Sequence, residues 1–289
     1  MTVYATEYAA TVADPDRISY AIEALAPFWG ALKASAVKGE TCRRYAKTRR
    51  TTKGCAEGES RPVSPSTIRR ELGTLQAALN YCHQEGILLS APVVTLPDPP
   101  APRERYLTRA EAARLVWAAY RGHKAKHIAR FILIGLYTGT RKTAILRMGF
   151  TQSLDGGWFD LERGIMYRIA EGERQTKKRR TPAPIPRKLA AHLRRWQAGG
   201  SRWAVEYEGG RVGDIKKGFA KAVIVAGLEG VTPHTLKHTA ITWALQAGAS
   251  KWHVAGYFAT SVETIEKVYG HHAPDYMSSA RDAMDNWRG

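Results

Sequence analysis

The sequence contains few cysteines, a shortage of acidic residues and no long apolar run. Its three cysteines, Cys42, Cys55 and Cys82, are odd in number and lack metal-ligand spacing, so they predict no metal site. The longest apolar run, FILIGLY at 131–137, is far too short to span a bilayer, and the N-terminus lacks the basic start and apolar stretch of a signal peptide. These absences predict a cytoplasmic protein with no membrane-spanning segment.

The charge of the chain is strongly one-sided. It has 44 Lys and Arg against 26 Asp and Glu, a formal net charge of +18. Apolar residues make up 44% of the chain, which supports hydrophobic cores and excludes a disordered basic tail. Such an excess indicates a polyanionic partner, and nucleic acid is the first candidate. An anionic membrane surface is the alternative, but we find no lipidation motif or long basic amphipathic helix.

A proline-rich stretch divides the chain. A length of 289 residues suits about two domains, and APVVTLPDPPAPRE at 91–104 has the composition of a stiff, extended linker. The parts on either side are 1–90 and 105–289. In the first part, VSPSTIRRELGTLQAALNYCHQEG predicts a helix that begins after Ser64 and ends at Gly86. Five of its apolar residues share one face: Ile68, Leu72, Leu75, Leu79 and Cys82.

A basic cluster precedes that helix. The stretch TCRRYAKTRRTTK contains no acidic residue, and a solvated basic face is the simplest interpretation of such a run. In a chain of this net charge, contact with nucleic-acid phosphates is favoured instead. The residues predicted to make it are Arg43, Arg44, Lys47 and Arg50.

The second part has mixed secondary structure. Thr108 and Glu111 form a capping box, and HIARFILIGLYTGTRKTAILRM predicts a buried helix, a break at Gly139 and a second helix. GGWFDLERGIMYRI alternates as two paired strands do, with a turn near 162–164. Helices follow to the end of the chain. The predicted fold class is therefore α+β, mainly α with a small β-sheet or hairpin.

Three basic side chains cluster in TPHTLKHTAITWALQAGA at 232–249. Pro233 begins a helix, on which His234, Lys237 and His238 share a face because they are spaced i, i+3 and i+4. The first turn of a helix favours anions. Each histidine alone is more simply a structural hydrogen-bonding residue, but the cluster favours an anion site.

These motifs resemble those of the tyrosine recombinases, the phage integrase family. HTLKHTAITW followed by Tyr269 is similar to the second signature box, and YTGTRKTAILRM to the first, which places its arginine at Arg141. ERQTKKRRTPAPIP resembles the hairpin that carries the catalytic lysine, and TIRRELGTLQAALNYCHQEGIL resembles part of the core-binding domain. The resemblance implies a helical core-binding domain at 1–90, the linker at 91–104 and a catalytic domain at 105–289.

The resemblance also implies a mechanism. Tyr269 would attack a DNA phosphodiester and become joined to the 3′-phosphate, while Arg141 clamps the phosphate oxygens. His234 would act as general base or phosphate ligand, and Lys177 would protonate the leaving 5′-oxygen. Counting back from the proline of the following strand selects Lys178 instead. This chemistry needs no metal or nucleotide cofactor, and the sequence has no P-loop and no carboxylate–histidine metal motif.

Two positions depart from the family pattern. Lys237 stands where the second arginine is usual, which preserves the charge but not the bidentate geometry. Thr260 stands where a third His or Trp is usual; it either gives one hydrogen bond to phosphate or forms a capping box with Glu263. Gly270 is expected to stop the helix that ends at Tyr269. Tyr276 is an alternative nucleophile, but it lies too far from the histidine box.

The predicted function is site-specific DNA recombination, such as integration or excision of a phage or mobile element. His238 is a possible further site residue, and Arg179 and Arg180 are expected to contact DNA. The resemblance implies a clamp around double-stranded DNA, a homotetramer on paired sites and a possible accessory directionality factor, in a prokaryotic cytoplasm. The alternatives are a recombinase-fold regulator that binds DNA without cutting it and an enzyme similar to type IB topoisomerases.

Overall fold

The computed structural model describes residues 1–12, 14–100, 105–173 and 180–286. The chain forms two compact units, Met1–Pro102 and Arg103–Gly289. The described residues are mainly helical, with small antiparallel sheets, so the α+β prediction is confirmed. Within these described ranges, no helix is both long enough and apolar enough to cross a membrane.

In the described part of the first unit, three α-helices pack around an apolar core. Its elements are α1 (Pro15–Trp29), α2 (Gly39–Thr48), the hairpin strands β1 (Arg50–Thr51) and β2 (Arg61–Pro62), and α3 (Pro65–Gln84). The predicted helix is α3: the hydroxyl of Ser64 accepts from the backbone N–H of Thr67 and caps it. The predicted apolar face is buried except for Cys82, which is half-buried because the last turn of α3 lies at the edge of the core.

The core of the first unit contains one buried carboxylate. The hydroxyl of Tyr45 donates to Glu71 at 2.7 Å, and the guanidinium of Arg49 donates to both of its oxygens, at 3.1 and 3.3 Å. Arg49 belongs to the basic stretch of the sequence, but it stabilises the fold. A buried charge is tolerated when it is paired and hydrogen-bonded in this way.

The second unit contains the remaining elements. They are α4 (Arg109–Arg121), α5 (Lys126–Thr138), α6 (Lys142–Leu146), β3 (Trp158–Asp160), β4 (Ile165–Tyr167), β5 (Ala183–Pro184), α7 (Arg187–Ala198), β6 (Glu206–Tyr207), β7 (Gly210–Arg211), α8 (Lys216–Val225), α9 (Pro233–Gln246), α10 (Lys251–Tyr257), α11 (Val262–Tyr269) and α12 (Ser278–Asp285). The capping box of Thr108 and Glu111 begins α4, as predicted.

The break between α5 and α6 requires a glycine. Gly139 has a φ of +56°, and a Cβ atom there would lie 2.5 Å from the ring of Phe258. Any other residue would therefore be strained in its backbone and would clash with the core. The break turns the chain sharply, so that Arg141 stands at the position preceding α6.

The predicted strand pair, β3 and β4, belongs to a three-stranded antiparallel sheet in the order β3-β4-β5. Phe159 pairs with Met166, and Met166 with Ala183, and all three side chains are buried. The turn between β3 and β4 contains Gly164, with a φ of +70°. The lysine-rich stretch is ERQTKKRR at 173–180. The chain on both sides of it lies next to the α5–α6 break, because Arg168 donates to Thr138 and Thr140 at the break and to Thr181 beyond the stretch.

Helices α9, α10 and α11 form a separate apolar cluster that includes Ile241, Phe258 and Tyr269. The helix of Tyr269 begins one residue later than predicted: Ser261, not Thr260, caps α11 by accepting from the N–H of Thr264. Gly270 does not end the helix in a left-handed conformation. Its φ is −53°, and it continues the chain into a 3-10 turn.

Candidate active site

The first two turns of α9 carry the predicted cluster of basic side chains. Pro233 begins the helix, and the paired hydrogen bonds of Thr232 and Thr235 cap it. His234 is exposed, His238 is half-buried and Lys237 is buried, with 7% of its surface exposed. The two imidazole rings meet edge to face at 4.6 Å between centroids. The predicted spacing thus brings all three residues to one site.

Tyr269 contacts this cluster directly. Its ring is buried, with 6% of the residue exposed, and its hydroxyl lies 2.8 Å from Nδ1 of His238. Burial raises the pKa of Tyr269 to about 12. Burial, with the neighbouring His234 and Lys237, lowers the pKa of His238 to about 4. At neutral pH the phenol is therefore protonated and donates, and the neutral imidazole accepts.

Lys237 contributes a positive charge on the buried side of the cluster. Its Nζ donates to the carbonyl oxygen of Phe258 at 2.9 Å. Burial, reinforced by the charges of Arg141 and Arg168, lowers the pKa of Lys237 to about 8. Partial desolvation, with the charges of Lys237 and Arg141, also lowers the pKa of His234. Lys237 is therefore still mainly a cation at pH 7, while His234 is biased toward its neutral form.

Arg141 and Lys237 line two adjoining cavities. One, of about 240 Å³, has further walls formed by Arg147, Arg168 and Arg180. The other, of about 540 Å³, opens beside His234. Cations of this density in a partly enclosed space favour a bound anion, because little solvent screens their field. The site is suited to hold a phosphate group next to the cluster around Tyr269.

The structure describes the other predicted residues only in part. Lys177, Lys178 and Arg179 lie outside the described residues. Arg180 lies on the wall of the smaller cavity and forms a 2.6 Å ion pair with Glu173. The nearby cavity wall is formed by Phe258 and Ala259, the two residues that precede Thr260. Across the part of the chain that the structure describes, no group of three His, Cys, Asp or Glu side chains could hold a metal ion.

Arg168 was not identified from the sequence. It directly follows β4 and is buried, with 4% of its surface exposed, on the wall of the smaller cavity that Arg141 and Lys237 line. The alternation of side chains in a strand could have predicted its burial. Arg168 lies two residues after the buried Met166, so the two side chains are on the same side of the sheet.

The predicted phosphate-binding residues of the first unit are exposed. Arg43, Arg44 and Lys47 project from α2, and Arg50 lies in β1. Arg44 also lies over the ring of Phe28, and Arg50 donates to the side chain and carbonyl of Ser60. Arg49 differs from these residues, because its guanidinium forms an ion pair with Glu71 in the core of the unit.

Comparison with known proteins gives one sequence relative and several solved structures. No protein-family profile matches the sequence. The integrase of Salmonella phage P22 is 24% identical over 245 residues, which are 78% of this chain but 59% of that integrase. The chain therefore spans less than two thirds of the length of this relative.

Several solved recombinases share the fold. The Tn1549 transposon integrase in complex with a circular intermediate DNA matches with a TM-score of 0.70 and 16% identity, covering 94% of this chain and 91% of that one. A lambda integrase dimer bound to a core site matches with a TM-score of 0.69 and 14% identity, covering 93% and 94%. The XerH recombinase in a post-cleavage complex matches with a TM-score of 0.64 and 14% identity, covering 94% and 80%. The chain therefore has the fold of these solved proteins, and its sequence is similar to that of a phage integrase.

Proposed function

We propose that this protein is a site-specific DNA recombinase that cuts and rejoins strands through a 3′-phosphotyrosine at Tyr269. The hydrogen bond between Tyr269 and His238, beside buried and partly buried cations, carries the proposal. A structural tyrosine needs neither a neutral base on its hydroxyl nor a cavity lined with cations. The arrangement supplies a nucleophile, a proton acceptor and a place for the phosphate.

The proposed step transfers one phosphoryl linkage. Oη of Tyr269 attacks phosphorus, the bond from phosphorus to the 5′-oxygen breaks, and the phenolic proton passes to Nδ1 of His238. The leaving 5′-oxygen takes a proton from the lysine-rich stretch, with Lys177 favoured over Lys178. Since the resting pKa of the phenol is far above that of His238, the proton leaves as the new bond forms and not before. The reverse attack by a 5′-hydroxyl rejoins the strand.

The cations are assigned to the developing charge. Arg141 offers a planar fork that suits two phosphate oxygens, whereas Lys237 acts as a single buried point charge. The ammonium of Lys237 is held in place by the carbonyl of Phe258, and Lys237 lines both cavities. His234, next to the larger cavity, is positioned as a phosphate ligand, while His238 takes the role of base that the sequence alone left to His234.

The proposed substrate is double-stranded DNA. The net charge of +18 and the exposed cations of α2 support phosphate contacts by the first unit, which we propose to be the core-binding domain. The two related integrases named above were solved with DNA, and XerH with its palindromic substrate. Integration or excision of a phage or mobile element, with an accessory factor that sets direction, is the proposed role in a prokaryotic cytoplasm.

A homotetramer on paired sites is proposed from the C-terminal segment. On or beside α12, Met277 and Met284 expose most of their apolar surface. The second unit also has an open, largely apolar groove of about 810 Å³ with Trp117, Trp243 and Val254 among its walls. The tail of a neighbouring copy, which the family resemblance implies is exchanged, would cover such a groove.

The test of the proposed function is covalent capture. Full-length protein is incubated with a library of nicked duplexes, denatured, and digested, and the peptide joined to nucleotide is identified by mass spectrometry. The proposal predicts a nucleotide on the peptide that contains Tyr269. DNA binding without any adduct would favour the regulator, and relaxation of supercoiled DNA without paired sites would favour the topoisomerase-like enzyme.

A further inference from the structure

The guanidinium of Arg168 joins its own segment, after β4, to two other segments next to the candidate active site, the turn of Thr138 and Thr140 and the chain at Thr181. Nε donates to Oγ1 of Thr140 at 3.1 Å, Nη1 to the carbonyl of Thr181 at 3.0 Å, and Nη2 to the carbonyl of Thr138 at 3.4 Å. Thr138 ends α5, and Thr140 immediately precedes Arg141. Thr181 lies between the lysine-rich stretch and β5. One side chain therefore fixes the backbone on both sides of the cavity.

Arg168 carries its charge into the interior of the second unit. Among the described residues, no carboxylate forms an ion pair with it. Burial, with the charge of Arg141, lowers its pKa to about 10, so it remains a cation at neutral pH. The ring of Tyr257 lies 5.6 Å from the guanidinium carbon and offsets part of the cost. A buried cation paired only with neutral groups is costly for a fold.

The location of Arg168 suggests why a buried charge is kept there despite its cost to stability. It shares the wall of the smaller cavity with Arg141 and Lys237, and its charge acts on both. If only the packing of three segments were needed, a neutral hydrogen-bonding side chain would serve without repelling two neighbouring cations. A positive charge becomes favourable when an anion occupies the cavity.

We propose that Arg168 is a positioning residue for phosphoryl transfer, which holds the Arg141 turn against the strand after the lysine-rich stretch and adds its charge to the phosphate site. This inference rests on the proposed function and deepens it. Arg168 supplies the second guanidinium charge of a site in which Lys237 stands at the usual arginine position. It acts through its neighbours and through the local field, and its own donors are satisfied by the protein.

The test compares variants that separate charge from hydrogen bonding. Arg168→Lys keeps the charge but loses the three-way fork, Arg168→Gln loses the charge, and Thr140→Val removes one acceptor and leaves the charge. Arg130→Gln is the matched control, because Arg130 is a partly buried arginine of the same unit that donates to Ser201 and lies over Trp196. Each variant is measured for single-turnover adduct formation between pH 6 and 9.5, DNA affinity and melting temperature.

We expect Arg168→Gln to slow adduct formation by about 100-fold or more, as removal of a fixed charge at a transition state does, with DNA affinity changed only a fewfold. In the plot of rate against pH, the fall in rate at alkaline pH should occur at a higher pH in this variant. The reason is that loss of the Arg168 charge raises the pKa of Lys237, which faces Arg141 and Arg168. Arg168→Lys and Thr140→Val should each lose about tenfold with a smaller shift of the alkaline fall in rate. The inference would be overturned if the loss of rate correlated with the loss of melting temperature across all four variants and the alkaline fall in rate stayed at the same pH.

A second measurement keeps the inference testable if Arg168→Gln does not fold or if wild type forms no adduct. Inorganic phosphate is titrated into each folded variant while the melting temperature is followed. We expect phosphate to stabilise wild type and Arg130→Gln, and to stabilise Arg168→Lys and Thr140→Val less. Equal stabilisation of all four, or none of wild type, would contradict a phosphate-directed role for Arg168. Absence of an adduct with a normal phosphate response would instead count against the proposed cleavage alone.

Discussion

The hydroxyl of Tyr269 donates a 2.8 Å hydrogen bond to Nδ1 of His238, which lies 31 residues earlier on another helix. This contact sets the resting state of the proposed nucleophile, a buried, protonated phenol held against a neutral imidazole. In the proposed mechanism the two histidines of α9 have different tasks. His238 faces the tyrosine, and His234 faces the larger cavity.

Replacement of His238 should impair cleavage more than DNA binding. We expect His238→Ala to slow adduct formation by roughly 100-fold or more, because the phenol loses its proton acceptor, while DNA affinity stays within a fewfold of wild type. His234→Ala should lower both the rate and the affinity for substrate. The measurement is single-turnover adduct formation over a range of DNA concentrations. An unchanged rate in His238→Ala would show that another group accepts the proton.

The alkaline limit of cleavage should depend on residue 237. Since Lys237 acts as a cation and its pKa is about 8, the rate at subsaturating DNA should fall as the pH rises through about 8. Lys237→Arg should preserve or raise the rate and move this limit upward, because a guanidinium keeps its proton. Lys237→Ala should slow cleavage by roughly ten- to a thousandfold. Identical pH profiles for wild type and Lys237→Arg would place Lys237 outside the chemistry.

Lys237 should also destabilise the protein in the absence of DNA. The pKa of Lys237 falls from 10.5 to about 8, so the fold disfavours its charged form by about 3 kcal/mol, against about 1 kcal/mol gained from the bond to Phe258. Lys237→Met should therefore raise the free energy of unfolding at pH 7 by about 1–2 kcal/mol. Between pH 8 and 10.5 the unfolded chain binds more protons at this position, so its contribution to wild-type stability rises with pH across that window.

Chemical denaturation of wild type and Lys237→Met at several pH values measures this effect. The stability difference between the two proteins should shrink as the pH rises from 8 to 10.5. A destabilised Lys237→Met at pH 7 would show that the lysine is retained for packing and not for the phosphate site.

The basic residues of the first unit should separate into two groups. Replacement of Arg43, Arg44 and Lys47 by Gln should weaken DNA binding and reduce the slope of log K against log salt by roughly 0.9 for each phosphate that the variant no longer neutralises. The melting temperature should fall by a few degrees at most, because Arg44 also lies over the ring of Phe28. Arg49→Gln is the control: it leaves Glu71 buried without its cation and should lower stability by about 3–5 kcal/mol. Salt-dependent binding by the triple variant equal to that of wild type would refute the phosphate contacts.

Local sequence signals predicted much of the second unit. The helix of His234, Lys237 and His238 followed from spacing and from Pro233 at its start, and the helix break followed from Gly139. Both depend on short-range geometry, namely the helical period and the left-handed conformation of one glycine. The strand pair around Gly164 depends on the same kind of local pattern.

Contacts between residues far apart in the sequence could not be predicted from these local patterns. A lone arginine after a strand is normally exposed, and the burial of Arg168 depends on partners from 138 to 181 that the fold brings together. The predicted cap of α11 was Thr260, but the left-handed Ala259 before it directs the chain so that Ser261 takes that role. The partner of Tyr269 could not be chosen from sequence, because the two histidines are one turn apart and the packing of α11 on α9 decides between them.

The central claim is that Tyr269 is the nucleophile. On a nicked suicide substrate that carries the protein's own attachment site, with any accessory factor supplied, the short cut fragment diffuses away and the covalent adduct accumulates. Wild type and Tyr276→Phe should give a denaturation-resistant protein–DNA band, whereas Tyr269→Phe should give none and keep its DNA affinity, because only one hydroxyl is removed. An adduct that persists in Tyr269→Phe, or none from wild type on this substrate, would contradict the account.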